Sequence, residues 1–368
     1  MSYFETGSAS DVNNLLGKLR SAMAANGWDT NYNALTAGGG TRCHMSKGGM
    51  TVNFRTGFNN ELPVANAAER SARQGNWSWN YYWGNPATFW RPDWIALNVG
   101  TGVNLGSSWH NQPGAPGSSE GKGLASMALA SGGISRYWIF IFDNPDTVLL
   151  IFEPWPERFE HIAFGRLHLV QGVQSGGEWY SASRTINSNY GEVSEICEAR
   201  TWIGTCLVRL VDSRWTIADQ LDGWNHTIAP GAAWNHWAPP GGTTWVAELG
   251  VPLFEASVFD PSTAGFPGII PASYLEAEGR SILHPIPAYK AREQGGHMLL
   301  GYFPHIARTS MRPYVAGDPI AGVGESWVAF PSHFRQSPWN NKAYQSRPSN
   351  PAEQAANFYG TGIAVRRP

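Results

Sequence analysis

A chain of 368 residues could form one large domain or two ordinary ones, and it is long enough to bury a sizeable core. Charged residues make up only 15% of it, against 42 glycines and 18 tryptophans, which suits a loop-rich β protein and excludes a disordered chain. A net charge of −2 with no Lys/Arg stripe leaves no electrostatic footprint for nucleic acid.

No uninterrupted apolar run approaches membrane-spanning length. The opening MSYFETGSASD has neither the basic region nor the apolar run of a signal peptide. The expectation is a soluble protein assembled inside a cell. Cys43, Cys197 and Cys206 fit three reduced thiols made in the cytoplasm, with a Cys197–Cys206 bridge across a hairpin as the alternative.

Taken in order, residues 10–27 read as the clearest helix. Ser10 is its N-cap, Asp11 sits in the first turn, and Gly27 supplies the stop. Val12, Leu15, Leu16, Leu19 and Met23 form one apolar stripe at helical spacing, while Gly17 weakens the helix slightly. The stripe either packs the core or serves as an interface helix. In the second case Leu15, Leu16, Leu19 and Met23 are interface residues, and Phe4–Gly7 packs beside them. After Gly48-Gly49, the alternation of Met50, Val52 and Phe54 with polar neighbours predicts a half-buried strand. Residues 61–73 could hold a short helix.

Trp77, Trp79, Tyr81, Trp83, Phe89, Trp90 and Trp94 then crowd into eighteen residues. Their alternation suits one face of a strand. Trp77, Trp79, Trp83 and Trp90 suit a subunit interface equally well, since such surfaces are enriched in Trp and Tyr. A carbohydrate platform is the third reading. Residues 107–123 read as an exposed Gly/Pro/Ser-rich loop, the first place to expect mobility.

The stretch from Arg136 to Ser183 organises the chain. Apolar runs at 137–142 and 147–152 flank Asp143-Asn144-Pro145-Asp146, four turn-forming residues, which predicts a β-hairpin. Neither run alternates cleanly, so both faces of the hairpin are expected to be buried. Phe159–Val170 reads as one further strand, and Gly176-Gly177 as a turn before Glu178-Trp179-Tyr180. Residues 187–270 read as a peripheral insertion, with a strand at Leu207–Val211. A second β-rich pattern runs from Tyr274, and Gly362–Arg366 returns to the main sheet. The predicted fold is mainly β (α+β): an antiparallel β-rich domain with an N-terminal amphipathic helix and long irregular loops. Its parts are an arm and helix at 1–30, a core at 31–186, the insertion at 187–270 and a C-terminal β part at 271–368.

Chemical motifs are weak throughout. WNH occurs twice, at 224–226 and 234–236, so His226 and His236 lie ten residues apart. No further ligand spacing accompanies them, and no metal or cofactor is expected. Trp224, Trp234 and Trp237 are a candidate ligand platform. Glu153, Glu157 and Glu160 could supply the carboxylate pair of a glycoside hydrolase, yet beside Pro154 and Pro156 they read better as surface charges. His161, inside an apolar run, reads as a core histidine. No nucleophile elbow or phosphate loop is present, and the expectation is no enzyme.

Two segments carry a resemblance. FETGSASDVNNLLGKLRSAM resembles the ETGTATD-x-x-x-LLDKL start common among tailed-bacteriophage virion proteins. RYWIFIFDNPDTVLLIFEPWPERFEHIAFGRL, followed by Gly-Gly-Glu-Trp-Tyr-Ser-Ala-Ser, resembles the yqHlaFGel…GG-x-(F/W) core of the same uncharacterised family, on His161 to Leu167 and then Gly176, Gly177 and Trp179. GYFPHIARTSMRPYVAGD and FYGTGIAVRR are similar to its end region. The match covers about half the chain, leaves 187–270 aside, and departs from the family where Gly17 replaces an acidic residue before Lys18. It implies a structural component of the virion, in the tail or baseplate, assembled in the host cytoplasm. A three- or six-fold homo-oligomer docked on other tail proteins is expected. The alternative is a receptor-binding fibre or spike whose partner is a host-surface glycan. The family supplies no catalytic residues.

Overall fold

In the computed structural model the described residues are 2–58, 93–115, 125–130, 132–156, 158–173, 175–182, 184–187, 192–194, 205–209, 215–218, 225–228, 276–277, 280–281, 283–291, 297–311, 313–321, 324–331 and 361–368. Along the chain they form β1 (Tyr3–Ala9), α1 (Val12–Ala25), β2 (Asp29–Leu35), β3 (Thr41–Lys47), β4 (Met50–Gly57), β5 (Asp93–Gly100), β6 (Ala125–Ala130), β7 (Ile134–Asp143) and β8 (Asp146–Trp155). Then come β9 (Arg158–Arg166), β10 (His168–Leu169), β11 (Glu178–Ala182), β12 (Arg184–Asn187), β13 (Glu192–Ser194), β14 (Thr205–Arg209), β15 (Trp215–Ala218) and β16 (Asn225–Ile228). The last are β17 (Glu276–Ala277), β18 (Arg280–Ser281), β19 (His284–Ala291), β20 (His297–Ser310), β21 (Pro319–Ala321), β22 (Ser326–Pro331) and β23 (Thr361–Arg366). The fold is mainly β, with antiparallel sheets and one helix among the described residues.

Three sheets are stacked. The central sheet has eight strands in the order β1-β7-β8-β9-β11-β14-β15-β16. A seven-stranded N-terminal sheet, β13-β12-β6-β5-β4-β3-β2, covers one face, and a six-stranded C-terminal sheet, β10-β20-β23-β22-β21 with β19 on β20, covers the other. Alternate residues of the central sheet therefore go opposite ways. Tyr137, Ile139, Ile141, Val148, Leu150, Phe152, Ile162 and Phe164 meet Met45, Val52, Phe54, Ile95 and Leu97 of the N-terminal sheet. Trp138, Phe140, Phe142, Leu149, Ile151 and Trp179 meet Phe303, Ile306, Val328, Phe330 and Ile363 of the C-terminal sheet. Two-sided burial is why the hairpin runs do not alternate in sequence.

The hairpin turn is tight. Asp143 pairs with Asp146, leaving only Asn144 and Pro145, joined by a cis bond, at the tip. In the N-terminal sheet Lys47 pairs with Met50 around Gly48-Gly49, both at positive φ (57° and 82°), the backbone that a two-residue hairpin of this twist demands. Phe159–Val170 is not one strand. It breaks at Leu167, whose side chain is buried and whose N–H donates to Gly177 O, and β10 crosses into the C-terminal sheet. β23 likewise lies between β20 and β22 of that sheet, not in the sheet of the central hairpin. Of the described strands of 187–270, β14 to β16 extend the central sheet at one edge.

Helix α1 starts one residue later than the sequence suggests. Asp11, not Ser10, is the N-cap, because its Oδ1 accepts the Asn14 N–H at 2.8 Å, and Asn26 closes the other end. Val12, Leu15, Leu16, Leu19, Ala22 and Met23 all enter the core between the central and N-terminal sheets. Gly17 costs the helix propensity alone, since a Cβ there would meet nothing within 4 Å. Gly17→Ala should therefore raise stability by about 0.5–1 kcal/mol in urea unfolding. A loss instead would mean that helix propensity does not govern this position.

Candidate functional site

The predicted interface residues of α1 are corrected by their burial. Leu15, Leu16, Leu19 and Met23 are at most 1% exposed within a single chain, so they fill its own core and have no surface to offer a neighbour. The sheets need that stripe to close the gap between β1/β7 and β4/β5. Trp77, Trp79, Trp83, Trp90, Trp224, Trp234 and Trp237 lie outside the described residues, as do the 61–73 helix, Cys197 and His236. The described member of the first aromatic cluster, Trp94, is buried against Gly57, where an added Cβ would collide with its indole. His226 lies on β16.

The candidate carboxylates are not brought together. Glu153 pairs across the sheet with Arg136, on the face that carries Trp138, and accepts from Arg136 Nε at 2.7 Å. Glu160 pairs with Phe152, on the opposite face. Glu157 lies outside the described residues. His161 is buried, with Nε2 3.4 Å from Ser181 Oγ. Cys43 is a buried free thiol, which burial pushes up to about 11.

What the structure does assemble is a polar relay on the outer face of the N-terminal sheet, built from residues that the sequence reading passed over. Register places His44 of β3 opposite Asn53 of β4, and Asn53 opposite Asn98 of β5. All three are fully buried. Arg42 Nε donates to His44 Nε2 at 2.7 Å, so the ring proton sits on Nδ1, which donates to Asn53 Oδ1 at 2.6 Å. Asn53 Nδ2 donates to Asn98 Oδ1 at 2.8 Å, and Asn98 Nδ2 to His110 O at 2.6 Å. Every donor points the same way, so each bond polarises the next. Tyr32 flanks the relay, its ring 5.8 Å from that of His44 and under the Arg42 guanidinium at 5.5 Å.

The relay is buried because residues 101–115 fold over it, contrary to the exposed loop expected from 107 onward. Trp109, His110 and Gln112 are at most 4% exposed. Gln112 supplies the bonds that a strand would otherwise have supplied. Its Oε1 accepts from Asn104 N at 2.7 Å, and its Nε2 donates to Ser108 O at 2.7 Å and Asn104 O at 3.1 Å. Thr101 N donates to Pro113 O, and Trp215 Nε1 donates to Gly114 O at 2.9 Å. This cover explains why β4, expected to be half-buried, is buried on both faces.

Two clasps join the layers, at Lys47 and at His305, and a third at Glu5 ties β1 to β7 within the central sheet. Lys47 Nζ lies 2.9 Å from both Asp143 and Asp146 and donates to Asn26 O at 3.2 Å, while Arg166 donates to Gly48 O, so the tips of both hairpins are tied. Glu5 accepts from Tyr3 and Tyr137 hydroxyls at 2.5 Å. That bond pushes Tyr3 up to about 12, and burial together with the same carboxylate raises Tyr137. His305, at φ 62°, stacks on Phe142 at 4.0 Å, and its Nε2 donates to Asn144 O at 3.1 Å, docking the C-terminal sheet on the hairpin tip.

Burial lowers His305 to about 4 from 6.5, so its contribution to stability is complete above pH 6.5 and is lost as pH falls toward 4. His305→Asn, which tolerates the left-handed backbone, should flatten that part of the pH–stability curve in urea titrations. An unchanged slope would rule His305 out as its source.

Among the described residues no group of three or more His, Cys, Asp or Glu is placed to hold a metal ion, and no helix is long and apolar enough to cross a membrane. No protein-family model matches the chain, and no curated protein matches it significantly.

Proposed function

We propose that this chain is a structural component of a tailed-bacteriophage virion: a tail or baseplate protein, assembled in the host cytoplasm into a symmetric oligomer of three or six copies. One observation carries the reading. The residues behind the sequence resemblance do packing work in one continuous body. Glu5 clamps two tyrosines, Thr6 donates to Tyr137 O, and Asp11 caps the helix. Ile162 and Phe164 fill the core on one side of β9, and Ala163 faces the other. Gly177 accepts the Leu167 N–H that turns the chain between sheets, and Trp179 packs edge-on to Phe303 at 4.9 Å. A shared pattern spent on packing is what a particle subunit retains when its task is to hold shape. Other tail proteins are its partners, with the tryptophan-rich segments buried between copies.

The test is mass spectrometry of purified particles, followed by a cryo-EM map with this chain traced. Density in the distal tail with tryptophans between subunits is the expected result. Absence of the chain from washed particles would end the proposal. Tryptophans facing outward on a fibre would replace it with glycan recognition at the host surface.

A further inference from the structure

The relay begins and ends on the same loop. Arg42, which donates to His44, also reaches Asn104 O through Nη2 at 3.4 Å, and Asn98 at the far end holds His110 O. These two anchors of residues 101–115 are thus linked through His44 and Asn53, while the Trp215 bond to Gly114 O is a third that lies outside the relay. The first bond exists only while His44 Nε2 is bare, because a protonated imidazole donates from both nitrogens and a guanidinium has no acceptor.

We propose that residues 101–115 form an acid-released latch, in which protonation of His44 breaks the Arg42–His44 bond and frees the loop from the outer face of the N-terminal sheet. The groups facing His44 make its cation costly. They are Arg42 and Ser46 on β3, Asn53, Arg55 and Thr51 on β4, Asn98 on β5 and Tyr32 on β2. The loop adds one titratable side chain, His110. The nearest described carboxylate of this face, Asp29, is exposed beside Ser46 at the far end of β3. Among the described residues a second positive charge beside Arg42 therefore has no anion on this face to compensate it, and the loop opens instead. Burial chiefly, and Arg42 secondarily, lower His44 to about 4 from 6.5. The latch is at full strength above pH 6.5 and lets go as pH falls toward 4. Opening uncovers Trp109 and the polar floor beneath it, an acid-exposed surface independent of where the protein sits in a particle.

Hydrogen exchange on the full chain, corrected for the intrinsic pH dependence of amide exchange, tests this. Peptides from 101–115 should lose protection by about tenfold per pH unit and exchange freely near pH 4, while peptides from α1, which exchange only through global unfolding, lose some protection as His44 and His305 titrate but remain protected there. His44→Gln can accept from Arg42 and donate to Asn53 but does not titrate, and it should abolish the step. Arg42→Met should expose the loop already near pH 7. Constant protection of the loop overturns the latch, as does a step that survives in His44→Gln. Complete loss of α1 protection at the same pH also overturns it, because the event is then global unfolding.

Discussion

Gly165→Ala should cost about 3 kcal/mol or more, a large loss for a single added methyl. Gly165 sits in β9 between Thr147 of β8 and Trp179 of β11. A Cβ there would run into the Asp146 carbonyl oxygen and lie 2.8 Å from the Thr147 Cα, both backbone atoms that no rotamer change can move aside. Relief would require β8 to shift. Its tip is held by Lys47 on Asp146 and by His305 on the Asn144 carbonyl. The strain would thus spread into all three layers. Urea unfolding measures it as a fall in midpoint at unchanged m-value. A loss below about 1 kcal/mol would show that β8 and β9 separate easily, and the clasp account of the hairpin would be wrong.

The second large effect belongs to the relay. Asn53→Leu keeps the branch at Cγ but strands the His44 Nδ1 proton on one side and the Asn98 Oδ1 on the other, both fully buried. At about 1–3 kcal/mol for each unsatisfied group, the expected loss is about 2–5 kcal/mol. Ser46→Ala is the control, because its bond to Asn31 Oδ1 is exposed and its loss should stay within about 0.5 kcal/mol. Equal losses for the two variants would mean that the relay is solvated and adds nothing special. Loop peptides of Asn53→Leu should also exchange faster near neutral pH, since Asn98 loses the partner that orients it toward His110.

Much of the fold was legible in the sequence because its signals are local. Turn chemistry at Asp143–Asp146 marked the central hairpin, and the alternation after Gly48-Gly49 marked β4. The apolar stripe from Val12 to Met23 marked the helix, and the unbroken runs around the central turn implied two covered faces. The errors had local causes too. Ser10 and Asp11 both cap well, and only the backbone at Asp11 decided between them. The run 159–170 carries no breaker, so its crossing at Leu167 left no trace in composition.

The site was barely legible. Thr51, Asn53 and Arg55 occupy the polar positions of an alternating strand, which reads as a solvent-facing edge. Nothing near Asn53 in sequence says that it will face His44 and Asn98, nor that a loop rich in Gly, Pro and Ser will fold over all three.

The sequence by itself determined the helix, the central hairpin with its turn and two-sided burial, and β4, because periodicity and turn preference act within a few residues. The tertiary structure alone decided which sheet covers which face, which sent the α1 stripe into the chain's own core. It also aligned the donors from Arg42 to Asn98 beneath residues 101–115. Those outcomes depend on strand register and on contacts between distant segments, where the cost of an unpaired buried polar group selects one arrangement among many that the local pattern allows.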